Sequence, residues 1–540
     1  MITSLPGAGV DATSARRARL SRLVDGEFDV LVVGGGITGA GVVRDAVTRG
    51  LKAALVDRSD YAYGTSSRSS KLVHGGLRYL ENMEFGLVFE SLRERYIQRK
   101  LHPNLVWPMP FLFPVYEGDK PGLRFMGLGL WLYDLLALFR SHRLHRTLNA
   151  ERVVELIPSL RADGLRGGVH YYDCRTDDGR LTLLNVLASE RCGAAVSNYV
   201  SFESPIFDEE GCVSGALLRD QLSGETFETR CRHIVYAAGP WTDQLAESPG
   251  AGKLLRTTKG VHIVVDKTRC PVEAVVVMKS PADRRIVFAV PWDDKVYLGT
   301  TDTDYGADPD EVAASIEDVN YILETTNVFF PDVKLGVEDV KGTWAGLRPL
   351  IRSDAASAYQ TSREHEVFAD PRGITTIAGG KLTTYRSMAK EVVDKVAKEL
   401  KAKYGIRSGK CTTKKTSADP ELERDHILGN DPFEDLLWRT VGGAAPWVKK
   451  RMQDFPDEAV PIREGDRHVL ALVSWAVLGE HASRLEDVMI RRLSLVYEES
   501  SVFEHTAKVV ATHMAKLMGH DSDWIEAEIN SVRDGLWKTH

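Results

Sequence analysis

The chain has 540 residues, of which 43% are hydrophobic and 27% charged, and its formal net charge is −7. A chain of this length exceeds what one hydrophobic core accommodates, so two to four domains are expected. The acidic balance argues against a protein that binds nucleic acid over its whole surface, although a local basic site for an anionic substrate stays open.

The six cysteines are scattered, with neither a CxxC pair nor metal-ligand spacing. This pattern predicts reduced thiols, as in a cytosolic compartment, and no metal site. Residues 1–26 include SARRARLSRL but no apolar segment of the kind found in signal peptides, so we interpret them as a short basic lead-in.

A βαβ unit opens the ordered part of the chain. The predicted strand FDVLVV (28–33) is followed by a glycine loop, a helix from about 37 to 49, and a second strand, KAALVD, that ends at Asp57. This order predicts a parallel sheet with both faces covered.

The glycine loop has the GxGxxG spacing at Gly34, Gly36 and Gly39, and Asp57 follows Gly36 by 21 residues. In this motif the first glycine makes the turn, the second lets a pyrophosphate approach the backbone, and the third lets helix and strand pack closely. The helix N-terminus provides N–H groups for phosphate, and Asp57 can accept hydrogen bonds from ribose hydroxyls. The unit therefore predicts dinucleotide binding.

The segment FMGLGLWLYDLLALF (125–139) is the most apolar run, but it is too short to span a bilayer and it contains Asp134. Arg140, Arg143 and Arg146 follow it. Two interpretations stay open: a helix that lies in the headgroup layer of an anionic membrane, within 123–146, or a buried helix with a solvated basic end.

The rest of the chain predicts a second sheet and then helices. VHIVVD, AVVVM, RRIVFAVPW and KVYLGTT are β-rich and alternate, which favours a largely antiparallel sheet. IVYAAGPWT (234–242) and IAGGKLTTYR (377–386) end in small-residue turns that return to the dinucleotide loop, an arrangement typical of FAD rather than NAD enzymes. From about 420 onward, helical periodicity dominates.

The segments GTSSRSSKLVHGGLRYLE (64–81), GTTDTDY (299–305), GLRPL (346–350) and GGKLTTYR (379–386) resemble the FAD-dependent glycerol-3-phosphate dehydrogenase family. The resemblance covers about 27–400 and extends to LEDVMIRRLSLVYE near the C-terminus; relatives often carry Glu where this chain has Asp57. It implies an α/β fold with an FAD-binding Rossmann-like domain of the glutathione-reductase type, an antiparallel-sheet substrate domain and a helical C-terminal cap domain. We expect the oxidoreductase region at 27–405 and the cap at 406–540.

The resemblance and the residue chemistry together predict the residues that hold FAD. Small hydroxyls after the second strand can bind flavin phosphate and ribityl groups, and Lys71 can place a cation near the flavin. The expected cofactor residues are Gly34, Gly36, Gly39, Asp57, Thr65, Ser66, Ser67, Ser70, Lys71, Leu72, Gly239, Trp241, Gly380, Lys381, Leu382 and Thr383.

The resemblance also implies a substrate site. Arg348 and Arg363 match arginines that grip phosphate, which suits the bidentate and permanently charged guanidinium. Arg78 is implied as a further substrate residue, and His262 matches an active-site histidine. We expect His262 to act as the base and Arg348 to stabilise the developing oxyanion as well as to bind substrate.

The predicted reaction is oxidation of sn-glycerol 3-phosphate to dihydroxyacetone phosphate by hydride transfer to FAD, with electrons passed to a membrane quinone. The resemblance implies a peripheral protein on the cytoplasmic, inner face of the cell membrane, and a homodimer stays open. One alternative is a glycerol-3-phosphate oxidase that uses oxygen, although no obvious mid-chain insertion of that group is present. A second alternative is a non-catalytic flavoprotein, against which the retained Arg78, His262, Arg348 and Arg363 argue.

Overall fold

The computed structural model describes residues 11–76, 84–245, 253–352, 364–497 and 500–536. Two predicted substrate residues, Arg78 and Arg363, lie outside these ranges. None of the described helices is long and apolar enough to cross a bilayer.

A six-stranded sheet forms the first layer and contains the predicted βαβ unit. All neighbouring strands are parallel except the antiparallel edge strand His365–Asp370. Its strands, in spatial order, are His365–Asp370, Ile374–Gly379, Ile234–Tyr236, Val30–Val33, Ala53–Val56 and Ala195–Ser197.

Three helices cover one face of the parallel sheet, and side chains that include Leu23, Ala216 and Leu218 cover the other. Because both faces are covered, the strands are continuous apolar runs. The three helices are Ile37–Thr48, Asp178–Arg191 and Tyr385–Tyr404, and their apolar side chains share one core with the central strands. The last of these helices stops at Gly405, which adopts a left-handed φ of 71° that favours glycine.

A second, ten-stranded sheet confirms the predicted, largely antiparallel substrate sheet; one neighbouring pair in it is parallel. Its main path runs through Thr303–Asp304, Leu255–Asp266, Lys295–Gly299, Ile286–Trp292, Val275–Lys279, Val106–Tyr116, Leu165–Thr176 and Leu72–Val73, with Val340–Ile351 and Arg146–Leu148 paired at its sides. A small third sheet consists of Glu27–Phe28, Thr226–Cys231, Val213–Asp220 and Val200–Phe207.

The C-terminal part is helical, as predicted, and packs on the second sheet. Its helices are Pro432–Thr440, Ala445–Asp454, Leu470–Glu480, Ser500–Met518 and Ser522–Asp534, with a π-helical turn at Asp487–Arg492. Their apolar side chains join those of the sheet in a single cluster that includes Trp344 and Tyr497. The remaining helices are Ala12–Asp25, Phe85–Leu101, Leu123–Leu136, Ala150–Leu156, Thr242–Leu245 and Ile316–Phe329.

Candidate active site

A cleft of about 930 Å³ lies at the carboxyl ends of the parallel strands, where Val30–Val33 passes into the helix Ile37–Thr48. Open α/β sheets place their ligands at this edge. Thirteen of the sixteen predicted cofactor residues line the cleft: Gly34, Gly36, Asp57, Thr65, Ser66, Ser70, Leu72, Gly239, Trp241, Gly380, Lys381, Leu382 and Thr383.

The glycine loop has the close approaches that its spacing predicts. Gly34 has a φ of 108°, and a Cβ there would lie 2.6 Å from the carbonyl oxygen of Ala237. A Cβ on Gly39 would lie only 1.9 Å from the carbonyl oxygen of Gly34, so Gly39 packs the helix on the turn and does not line the cleft. At Gly36 the helix starts without a cap from its own N-cap residue; Ile37 N–H donates to Ser66 Oγ, and the other N–H groups of the first turn are available for a phosphate.

Asp57 directly follows the strand Ala53–Val56 and is hydrogen-bonded to backbone N–H groups of the neighbouring loops. Its two carboxylate oxygens accept hydrogen bonds from Gly35 N–H (2.6 Å) and Ser59 N–H (2.9 Å). Burial raises the pKa of Asp57 to about 6, although these two hydrogen bonds oppose the rise. Each oxygen keeps a lone pair, so Asp57 can also accept ribose hydroxyls as predicted.

The hydroxyl-rich loop, residues 65–70, connects the dinucleotide end of the cleft to the second sheet. Ser66 Oγ accepts a hydrogen bond from Ile37 N–H at 2.9 Å, and Thr65 Oγ1 donates to the carbonyl oxygen of Leu347 at 2.5 Å. Ser70 Oγ lies 2.9 Å from His262 Nε2. This loop therefore contacts both the helix Ile37–Thr48 and the ten-stranded sheet.

Lys71 and Ser67 do not line the cleft. The Lys71 ammonium is buried and donates to Asp178 Oδ1 at 2.6 Å and to the carbonyl oxygen of Ser67 at 3.2 Å. Burial disfavours the charged ammonium, but Asp178 and Asp177 raise the pKa of Lys71 above its usual value. The structure therefore places Lys71 under the hydroxyl loop, where its charge is neutralised by Asp178.

The segments 234–242 and 377–386, which are distant in sequence from the glycine loop, complete the wall of the cleft. Gly239 and Gly380 both have positive φ, and a Cβ on Gly239 would meet no atom within 4 Å. The guanidinium carbon of Arg58 lies 4.9 Å from the ring centroid of Trp241. The buried Nε1 of Trp241 has no hydrogen-bond partner among the described residues. These glycines, the N-terminus of the helix Ile37–Thr48 and the unpaired Nε1 donor of Trp241 are suited to a bound dinucleotide, which offers phosphates and hydroxyls.

His262 lies at the sheet end of the cleft, on the strand Leu255–Asp266. It pairs with Trp344 across the sheet, and the two rings stack at 4.9 Å with an interplanar angle of 14°. Its Nε2 contacts Ser70, whereas the buried Nδ1 has no partner within the described ranges. Burial, followed by the positive charges of Arg348 and Lys71, lowers the pKa of His262 well below its usual value. This lowering of the pKa favours the unprotonated imidazole, the form that a general base requires.

Arg348 lies on the neighbouring strand, opposite Thr258, and lines the same cleft as His262. Its guanidinium donates to Asp302 Oδ1 (3.0 Å), Thr300 Oγ1 (3.0 Å) and the carbonyl oxygen of Thr301 (3.1 Å). A Cβ on Gly260 would lie 2.4 Å from Arg348 Nη2, so this glycine leaves the space that the guanidinium occupies. The structure thus brings together two of the predicted catalytic and substrate residues.

Several residues of the site carried no recognisable signal in the sequence. Arg58 and Tyr63 line the cleft, and the small third sheet adds Phe202. Asp178 supports the hydroxyl loop by accepting from Ser69 N–H and Ser69 Oγ. Arg58 follows the predicted ribose acid and Tyr63 precedes the motif 64–81, and these positions were the available clues; Phe202 and Asp178 come from distant segments.

Comparison with known proteins agrees with this geometry. Residues 29–386 match the family model described as FAD dependent oxidoreductase. Aerobic glycerol-3-phosphate dehydrogenases are similar to this chain: that of Staphylococcus saprophyticus is 42% identical over 394 residues, 73% of this chain and 71% of the relative, and that of Staphylococcus haemolyticus is 39% identical over 432 residues, 80% and 77%.

Solved structures show the same likeness. The glycerol-3-phosphate dehydrogenase from Bacillus halodurans, solved in complex with FAD, superposes with a TM-score of 0.78 at 31% identity over 97% of both chains. The L-alpha-glycerophosphate oxidase from Mycoplasma pneumoniae, at 18% identity and a TM-score of 0.54 over 71% of this chain and 96% of that one, shares the fold. The predicted cofactor and fold class are confirmed: the chain belongs to the FAD-dependent oxidoreductases, in the glycerol-3-phosphate dehydrogenase family, and its cofactor is FAD.

Proposed function

We propose that this protein oxidises sn-glycerol 3-phosphate to dihydroxyacetone phosphate and passes the electrons from FAD to a membrane quinone. The observation that carries the oxidation of substrate is that His262 and Arg348 line the same cleft, and that burial and the charge of Arg348 lower the pKa of His262. The names of the similar dehydrogenases support the same substrate.

Arg348 has two roles in this proposal. Its charge attracts the phosphate-bearing substrate, and its contacts with Asp302 and Thr300 hold the guanidinium in one orientation before substrate arrives. The same charge can stabilise negative charge that develops on the C2 oxygen. Arg78 and Arg363 remain predicted partners for the substrate phosphate.

His262 is the proposed base for the C2 hydroxyl proton. Its Nε2 faces Ser70, a residue of the cleft wall, so a substrate hydroxyl can replace or share that hydrogen bond. A dianionic phosphate beside Arg348 would offset the positive charge that lowers the pKa of His262, and would therefore make the imidazole a stronger base when substrate is bound. When bound, FAD supplies the acceptor for the hydride from C2.

The exposed face of the helix Leu123–Leu136 supports the membrane part of the proposal. The opposite face of this helix is buried through Leu130 and Tyr133. Large apolar side chains on and just after the helix are more than one third exposed: Phe125, Leu128, Trp131, Leu132, Leu135, Leu138 and Phe139. A continuous patch of this kind marks an interaction surface, and the nearby Arg140 and Arg143 suit anionic headgroups. We propose that this face lies on the inner surface of the cell membrane.

The chemical half is tested with Arg348→Ala. Loss of one charge-assisted contact costs about 1.5–3 kcal/mol, so kcat/KM for glycerol 3-phosphate with a dye acceptor should fall by about tenfold or more. Arg269→Ala is the matched control, because Arg269 also pairs with an aspartate, Asp339, but is half exposed and does not line the cleft. Equal kcat/KM in both variants, or turnover of glycerol as fast as of its phosphate, would refute this site.

The acceptor half is tested by comparing quinone reduction with peroxide formation during turnover of the holoenzyme. We expect quinone reduction to dominate; stoichiometric peroxide without quinone reduction would identify an oxidase instead.

The membrane part of the proposal is tested by co-sedimentation with anionic liposomes. The variant Leu132→Ser/Leu135→Ser/Phe139→Ser should lose binding while keeping its flavin, because all three side chains are exposed. The control Ile427→Ser/Leu428→Ser/Val460→Ser changes three exposed apolar side chains of the C-terminal part and should still sediment. A parent protein that stays in the supernatant would refute surface binding.

A further inference from the structure

A second large cleft, of about 1120 Å³, lies on another side of the FAD-binding layer. Its walls are the helix Phe85–Leu101, the helix Tyr385–Tyr404 and the segment 407–414 that leads to the helical C-terminal part. No residue lines both this cleft, which we call the basic cleft, and the active-site cleft. The substrate and cofactor chemistry described above therefore does not use it.

The basic cleft is lined by nine lysines and arginines and four acidic residues. The acidic residues already have partners: Glu94 pairs with Arg386, and Asp394 pairs with Arg49 and Lys390. Glu391 pairs with Lys395, and Glu90 accepts from a serine hydroxyl. Within the described part of the chain, six of the cations have no ion pair: Arg93, Lys398, Lys401, Arg407, Lys410 and Lys414.

Two buried arginines in the wall have unused hydrogen-bond capacity. Arg386 and Arg49 are 6% and 7% exposed, and Nη1 of the first and Nε of the second have no partner among the residues that the structure describes. A buried donor without an acceptor is unfavourable, and the cost is larger when the donor is charged. The like charges around the cleft add mutual repulsion, which a bound anion would relieve.

We propose that the basic cleft binds a multiply charged, phosphate-bearing anion. Guanidinium and ammonium groups that line one concave site favour phosphate oxygens, which accept several charge-assisted hydrogen bonds at once. The acidic net charge of the whole chain argues that this excess of cations is local to the cleft rather than part of a basic surface.

The phosphate can belong to a soluble metabolite or to an anionic lipid headgroup. Phe89, which is 39% exposed, lines the cleft, and Phe85 one turn earlier is 41% exposed. Their helix packs against Leu123–Leu136, the proposed membrane helix. Both sources present the same chemistry to the cleft, and the experiment below separates them.

The test is calorimetric titration of holoenzyme with inorganic pyrophosphate at constant ionic strength. Every protein carries Arg348→Ala, which weakens phosphate binding in the active-site cleft equally in all of them, so the comparison between variants does not depend on the proposed turnover. The cleft variant is Lys398→Gln/Lys401→Gln/Arg407→Gln/Lys410→Gln, and all four side chains are exposed. The control, Lys52→Gln/Lys450→Gln/Lys508→Gln/Lys516→Gln, removes the same charge from exposed lysines elsewhere.

We expect pyrophosphate to bind the parent and the control with similar affinity, and the cleft variant at least about tenfold more weakly, as expected for the loss of charge-assisted contacts. Equal affinity of cleft variant and control, or no binding to the parent at millimolar pyrophosphate, overturns the proposal. Retained flavin absorbance and an unchanged unfolding midpoint verify the fold of each variant.

Vesicles then identify the source of the phosphate. If it is a headgroup, phosphatidylglycerol vesicles displace pyrophosphate from the parent whereas phosphatidylcholine vesicles do not. If it is soluble, neither vesicle displaces it. Both results support the site, and displacement of pyrophosphate by phosphatidylcholine vesicles overturns its anionic character.

Discussion

The helical C-terminal part should contribute directly to the stability of the FAD site through the carboxylate of Asp60. This residue follows Asp57 by three positions and is fully buried. Its Oδ2 accepts from Arg491 Nε (2.6 Å) and Arg492 Nη1 (2.7 Å), and its Oδ1 accepts from Arg492 Nη2 (3.0 Å) and Asn198 Nδ2 (3.0 Å). Although burial opposes it, the charge of Arg492 and then that of Arg491 hold the pKa of Asp60 well below its usual value.

Arg492→Met keeps most of the side-chain volume and removes two of these four hydrogen bonds. Breaking a buried pair by removing one partner costs about 3–5 kcal/mol, because the remaining charge is left incompletely compensated. The matched control is Arg533→Met: Arg533 also holds its carboxylate partner, Glu504, through two nitrogens, but the two side chains are 42% and 45% exposed. Solvent screens an exposed pair of this kind, so it contributes far less than the buried one.

The assay is urea unfolding of the holoenzyme followed by the fluorescence of released flavin. Arg492→Met should release FAD at much lower urea than the parent, whereas Arg533→Met should remain close to it. The double variant Asp60→Asn/Arg492→Met removes the incompletely paired charge and should recover part of the loss. An Arg492→Met protein as stable as Arg533→Met, or a double variant no more stable than Arg492→Met, would refute the reasoning.

Three further outcomes follow from the site. FAD should dissociate more readily below pH 6, because the pKa of Asp57 is about 6 and the carboxylate that we expect to accept ribose hydroxyls is lost as pH falls; fluorescence titration of the apoprotein should show this dependence, and Asp57→Asn should abolish it. The acid limb of kcat/KM should lie well below pH 6.5 in the parent and move to higher pH in Arg348→Gln, because one of the charges that lowers the pKa of His262 is gone; a limb that does not move contradicts the assignment of His262 as base. Gly39→Ala should yield protein with little bound flavin, measured by absorbance, since the new Cβ would overlap the carbonyl oxygen of Gly34.

The sequence alone was sufficient to predict the βαβ unit with its glycine loop. Strand, glycine turn, helix and terminal acid are local features: each depends on the φ values, side-chain sizes and periodicity of consecutive residues. The structure confirms the parallel sheet around Val30–Val33, the antiparallel second sheet and the helical C-terminal part for this reason. The distant returns near Gly239 and Gly380 were also identified, because small-residue turns after strands are visible in sequence.

Only the tertiary structure decided which distant side chains meet. Lys71 belongs to the motif that predicts FAD binding, but only the structure shows what compensates its buried ammonium: Asp178, 107 positions away. The contact between Ser70 and His262 spans 192 positions, and that between Asp60 and Arg492 spans 432. Such contacts depend on how the sheets and helices pack, and no local pattern encodes that packing. For the same reason, the apolar composition of residues 125–139 left two interpretations open, and packing determined which face of Leu123–Leu136 is exposed.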